Sequence, residues 1–515
     1  MKTKHGLTHE FWADLPLVFE NETIETLRYI RTRVKFLSGL DRTLYDCCRM
    51  SCCCFVGPFA NLQQCPYCKL DRNRPNGTPY KTFSYIPLIP QLSALFSSEE
   101  QVETMQYRAR YFEPSNDPAR DGRAEQGKIK DVFDGRHYKK LLNSFLDIEG
   151  HSTNHKFFSD RRDIALGLSS DGFAPFKKRK HSAWPLILFN YNLPPTIRFW
   201  LENIICIGVI PGPKAVKDID SFLVPLIGDL EQLEMGVKTF DRSAREMFDL
   251  HAHLIKLFGD MPAMAKLMRM KGHNGIKPCR GCNIMGVRVV GSSATTHYVP
   301  LDRSRHPDHG DIPVYDAANL PLRTHEEMVR QAQEVDSAPN VTQSNRLATK
   351  YGINGSSSFH RVQSLEYPGS MPHDFMHLIW ENLIKNLIAL WTGNFKDLDN
   401  SAYEIPNDVW QDMSRAAAAS GADVPAAFGA RLPDFMARPS EMTADAWSFF
   451  TLYLAPIMLY GKFPTSAFYR HFVRLVELLK LCLAFEITEE EVDALDTGFR
   501  KWVEDYERYV VLLAT

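Results

Sequence analysis

The pattern of apolar and polar positions is most regular between Arg162 and Lys271. Three strand-like runs follow one another closely there, IALGLSSDGF, WPLILFNYNL and ENIICIGVIPG, and the short PPTIRFW between the last two predicts an antiparallel meander. In KDIDSFLVPLIGDLEQLEMG the apolar Phe222, Leu223, Leu226, Ile227, Leu230 and Leu233 recur at helical spacing, with Asp218 or Asp220 as the cap and Pro225 near the first turn. MFDLHAHLIKLFGD then reads as a buried strand, and MPAMAKLMRMKG as a helix with Pro262 in its first turn.

This order, βββαβα, is that of an α/β ribonuclease-H-like core, in which the first and fourth strands lie side by side. Around it the text divides into an N-terminal helical segment (1–45), a cysteine-rich module (46–81), a linker or helical bridge (82–159), the first part of the core (160–282), a Pro- and charge-rich insertion (283–350), a completing segment (351–395) and a helical C-terminal region (396–515). In the last of these, Thr488 and Glu491 form the capping-box pattern that opens a final helix.

Composition bounds the function classes. The chain has 515 residues, 44% of them hydrophobic, enough for several packed units. No run approaches the roughly 20 apolar residues that span a bilayer, and the polar start lacks a secretory h-region, so a soluble, intracellular chain without membrane partners is expected. Sixty basic residues against 62 acidic ones give a net charge of -2, so any nucleic-acid contact must use local patches. Nine of the eleven cysteines fall in two tight clusters, which argues for metal rather than a disulfide framework; Cys206 and Cys482, in apolar runs, read as buried thiols.

Two acids end strand-like runs. Asp171 closes IALGLSSD and Asp260 closes FDLHAHLIKLFGD; a third, Glu381, lies on the helical run HLIWENLIKNL. Taken singly, Asp171 reads equally as a turn residue before glycine and Asp260 as an N-cap. Together with Glu381 they are candidates to hold divalent Mg²⁺ or Mn²⁺ for phosphodiester chemistry. Cys48, Cys52, Cys65 and Cys68 form Cx3Cx12CxxC, close to zinc-ribbon spacing, although Cys47, Cys53 and Cys54 compete for the first two places; four thiolates would make that zinc structural. Cys279 and Cys282 are half of a second zinc site that His373 and His377 would complete if both lie on one helix; otherwise His373 only precedes the helix and His377 packs. Lys177, Lys178, Arg179 and Lys180 follow Asp171, and Lys271, His273, Lys277 and Arg280 follow Asp260, as a phosphate backbone would require; the KKRK run reads equally as a nuclear-import signal or a solvated hairpin edge.

The strings DCCRMSCCCFVGPFANLQQCPYC, DGFAPFKKRKHSAWPLI, NLPPTIRF, GVIPGPKAVKDIDSFLVPL, LFGDMPAMAKLMRMKGHNGIKPCRGC and PHDFMHLIWENLIKNLIALW resemble the CACTA-type (En/Spm-like) DDE transposases in their fungal form, over most of the chain. The resemblance implies a ribonuclease-H-like catalytic domain that cuts transposon ends and joins them to target DNA, acts in the nucleus and assembles as a homo-oligomer on DNA. It places Asp171 in the family's DGF motif and Asp260 in its D-x-P-A motif; Glu381 is the matching third acid, with Asp374 and Glu404 as competitors. Family members usually run further than this chain, whose YERYVVLLAT ends inside a helical pattern, so a truncated copy is one expectation, and a catalytically inactive DNA- or protein-binding derivative is the alternative function.

Overall fold

The computed structural model describes residues 25–38, 40–113, 127–148, 151–175, 182–288, 290, 298–395, 403–425, 428 and 431–511. Its strands are β1 (Thr43–Asp46), β2 (Thr82–Tyr85), β3 (Lys128–Ile129), β4 (Phe145–Ile148), β5 (His151–Lys156) and β6 (Ile164–Ser170), followed by β7 (Ala183–Asn190), β8 (Ile205–Pro211), β9 (Val237–Asp241), β10 (Glu246–Leu250), β11 (Ala252–Phe258) and β12 (Ile487–Thr488). The largest sheet has the order β1-β2-β8-β7-β6-β11. The expected meander β6-β7-β8 is present, with β7 and β8 antiparallel, and the expected first and fourth core strands, β6 and β11, are neighbours.

The chain divides into two compact units, residues 1–106, 160–165 and 172–253 in one, and 107–159, 166–171 and 254–515 in the other. In the first unit, β1 and β2 extend the meander from its β8 edge, antiparallel throughout. Gly208 makes this pairing possible, because a Cβ there would stand 2.8 Å from the Ser84 carbonyl oxygen. The helix Asp220–Met235 buries the whole apolar stripe read from the sequence, and Phe222 meets Phe83 edge to face at 5.4 Å. Asp218 accepts from the Ser221 amide at 3.1 Å, and Pro225 lies inside the helix.

One expectation needs correction. The run MFDLHAHLIKLFGD is not a single strand: β10 pairs antiparallel with β9 in a separate hairpin, and after His251 the chain enters the large sheet as β11. His251 is buried at the switch, its Nδ1 donating to the Glu234 carbonyl oxygen at 3.0 Å.

The second unit is mostly helical. Its C-terminal core gathers Trp380, Trp391, Trp410, Phe450, Phe472 and Leu475, and the final helix Glu489–Tyr506 opens with the Thr488–Glu491 capping box. Among the described residues no helix is long and apolar enough to cross a membrane.

Candidate active site and metal centres

Asp171 follows β6 directly and is half-buried. Asp260, also half-buried, stands two residues past β11 and is the N-cap of the helix Met261–Leu267, its Oδ1 accepting from the Ala263 amide at 2.7 Å. The capping reading of Asp260 therefore holds, and it engages one oxygen only. The two acids are brought close by backbone contact: a Cβ on Gly259 would lie 2.9 Å from the Ser170 carbonyl oxygen, so the residues just before Asp260 and just before Asp171 touch.

A third element reaches the same place. His377 lies in the first turn of the helix that runs through Met376–Ile384, and Asp374 holds it twice, Oδ2 on its Nδ1 at 2.9 Å and Oδ1 on its amide at 3.1 Å. Burial works against a charge on this imidazole. The hydrogen bond and charge of Asp374, with the charges of Asp260 and Asp171, outweigh that penalty and raise its pKa above the ordinary value. Carboxylates from three separate elements thus all favour the charged form of this one imidazole. Glu381, one turn on, is in an i,i+4 ion pair with Lys385. Glu404 lies beside Gly393, beyond the end of the following helix Lys385–Trp391.

His373 precedes the helix, so the HxxxH pair does not share a helical face. Cys279 and Cys282 are brought together without the histidines: among the described residues, no group of three or more metal-binding side chains includes them. A hydrogen bond from Cys282, with the Gly281 amide at 3.3 Å, holds the Cys279 thiol below its ordinary value. The link between this loop and the Pro372–Asp374 segment runs instead through the buried Arg280, whose guanidinium donates to the Pro372 carbonyl oxygen. Arg323, also buried, clamps the loop by donating to the carbonyls of Cys279, Cys282 and Tyr351. The arginine inside CRGC was visible in the sequence; nothing in the local text marked Arg323.

Lys271 donates its amide to Gly352, and His273 is exposed on the turn Gly272–Asn274. Lys177, Lys178, Arg179 and Lys180 lie outside the described residues.

In the first unit, Cys48, Cys52, Cys65 and Cys68 have sulfur atoms all within 4.8 Å of one another, and Cys48 and Cys68 are 3.4 Å apart. Tetrahedral zinc with bonds of about 2.3 Å needs sulfurs about 3.8 Å apart, so the set could hold a structural zinc ion. Two tight turns supply the ligands in pairs, and each uses a left-handed residue, Ser51 (φ 64°) before Cys52 and Lys69 (φ 59°) after Cys68. The Met50 amide donates to the Cys48 sulfur at 3.3 Å, as suits a thiolate ligand. Cys47 and Cys54 face each other in a β-bridge outside the group. Burial pushes the Cys47 thiol up to about 12 and raises those of Cys53 and Cys54 as well, which keeps them protonated.

No curated protein matches the chain. Residues 136–313, a stretch that holds Asp171, Asp260, Cys279 and Cys282 but neither Asp374 nor the first cysteine group, match the family described as transposase family tnp2, and over that stretch the chain is similar to transposases.

Proposed function

We propose that this chain is a DNA transposase of the DDE type, with a ribonuclease-H-like core that cleaves and joins DNA strands at transposon ends. One observation carries the reading: Asp171 and Asp260 stand at the same ends of the neighbouring strands β6 and β11, with Gly259 packed against the Ser170 carbonyl. The donor type suits a hard divalent cation, carboxylate oxygens with one oxygen of Asp260 outside the helix cap. Among the described residues no three of these acids stand within 4.8 Å of one another, so a metal would have to draw them together. Asp171, Asp260 and Glu381 would hold Mg²⁺ or Mn²⁺. The metal would supply an activated water or 3′-hydroxyl and charge compensation at the scissile phosphate.

The remaining work falls to the chain. The cap bond fixes the Asp260 rotamer, and the two bonds to Asp374 fix the ring of His377, with a proton held at Nδ1. Glu381 becomes a ligand only by leaving Lys385, a half-buried i,i+4 pair worth about 1 kcal/mol or less. A second reading makes Asp374 the third ligand, favoured by its shared action on His377. Nuclear location, assembly on DNA and a zinc at Cys279 and Cys282 belong to the same proposal, the last with ligands still to be found.

The test uses a supercoiled plasmid carrying the genomic DNA that flanks the coding sequence. Purified protein should nick it with Mg²⁺ or Mn²⁺, and Asp171→Ala should not. Salt-sensitive binding with no metal-dependent nicking by the wild type supports the inactive-factor alternative and removes the enzyme reading.

A further inference from the structure

The cysteine module carries cations that have no carboxylate partner among the described residues. Arg49, exposed between the ligand cysteines Cys48 and Cys52, lies over the Tyr80 ring at 4.6 Å, and Arg74 lies over the same ring at 5.5 Å. Arg74 is steadied by the Pro79 carbonyl at 2.9 Å. Neither guanidinium has a carboxylate partner among the described residues. Beside them the Lys81 ammonium is held by neutral acceptors only: Ser51 Oγ at 2.9 Å and the carbonyls of Arg49, Pro211 and Gly212.

Arg49, Tyr80 and Lys81 line a cavity of about 730 Å³ with Ser182, Pro211 and Gly212, and among the described residues no acidic side chain lines it. The half-buried Lys81 ammonium hydrogen-bonds only to carbonyl and hydroxyl oxygens, and the nearby Cys47 and Cys48 offset only part of the cost of its burial, so an anion there is favoured. Stacking on Tyr80 pre-orders the two guanidiniums, which lowers the entropy lost when they bind a phosphate. Several cations in a row, with no acid among them, suit a repeating anion better than a single one.

We propose that this face of the module binds the phosphodiester backbone of duplex DNA, so that the zinc candidate holds a DNA contact and is not only a staple. The proposal rests on DNA being the partner. A competing account is that the arginines neutralise the cysteine centre, since one Zn²⁺ with four thiolates carries two negative charges.

The experiment uses the full chain in an Asp260→Asn background, where binding is read without cutting. Anisotropy of a labelled duplex is followed over a NaCl series for that protein and for the same protein with Arg49→Gln and Arg74→Gln. Each arginine that meets a phosphate contributes about one unit to the slope of log K against log salt. The expected result is a slope shallower by about two, with zinc content and melting temperature unchanged. Arg49→Lys with Arg74→Lys, which keep the charges, should retain most of the slope. An unchanged slope in the folded, zinc-loaded glutamine variant overturns the proposal, and so does loss of zinc from it with the slope intact. Binding by the parent with no nicking by wild type sinks the enzyme reading alone; no binding by the parent sinks this one.

Discussion

Asp260 caps a helix and, on the proposed reading, also helps hold a metal ion, and the two roles separate by substitution. Oδ1 caps the helix Met261–Leu267 through a 2.7 Å bond to the Ala263 amide, while the carboxylate's charge acts on His377. Asparagine keeps a capping oxygen and caps about as well as aspartate; alanine leaves the amide without its partner at a cost of about 1 kcal/mol, within a range of roughly 0.5–2. Loss of the charge at the helix N-terminus adds a few tenths of a kcal/mol to both variants, and both also relieve repulsion among the neighbouring acids. Asp260→Asn should therefore melt near the wild type, and Asp260→Ala lower by no more than about 2–4 °C. Both should lose nicking, because removing a metal-holding carboxylate costs several kcal/mol at the transition state, on the order of 10³-fold in rate. The assay is calorimetry beside plasmid nicking at matched metal concentration. An asparagine variant that still nicks near the wild-type rate refutes the metal role, and an alanine variant as stable as the asparagine one refutes the cap.

Three further outcomes follow. Glu381→Gln tests the third ligand: a loss of nicking on the order of 10³-fold supports Glu381, and retention by Glu381→Gln with loss in Asp374→Asn points to Asp374 or its hold on His377; retention by both removes this segment from the metal site. The chain should bind one zinc per molecule at the first cysteine group, and Cys65→Ser should release it and destabilise the module; full zinc content in that variant, by elemental analysis, contradicts the ligand set. His360, half-buried, has its pKa lowered by burial, with help from His325 and Arg269, from 6.5 to about 4. It folds neutral, so its contribution is whole above pH 6.5 and is lost as pH falls toward 4, at most about 3 kcal/mol. The urea midpoint of His360→Phe should fall less over that window than that of the wild type.

The parts of the molecule that were legible in the sequence are those fixed by short-range rules. Helical spacing gave the buried stripe Phe222 to Leu233, cysteine spacing gave the four-sulfur group, and Thr488 with Glu491 gave a cap. Asp171 and Asp260 could be placed at strand ends because apolar runs stop there. The switch at His251 was hidden because one apolar run serves two sheets, and periodicity along a strand does not say which partner it pairs with. The HxxxH pair misled because spacing alone does not say where a helix starts, and His373 falls before it. Arg280 and Arg323 satisfy backbone carbonyls far away in sequence, a role that no local pattern carries.

Seven thiols lie between Cys47 and Cys68, yet only four can share one ion. In the folded module the other three are buried and protonated, hence poor nucleophiles. Before folding, all seven react alike, and mispaired disulfides compete with metal capture. The order of events then matters more than the affinity. A nascent chain that meets zinc first is sorted into ligands and shielded thiols, whereas one made in zinc-poor, oxidising conditions should accumulate as cross-linked aggregates that later metal does not rescue.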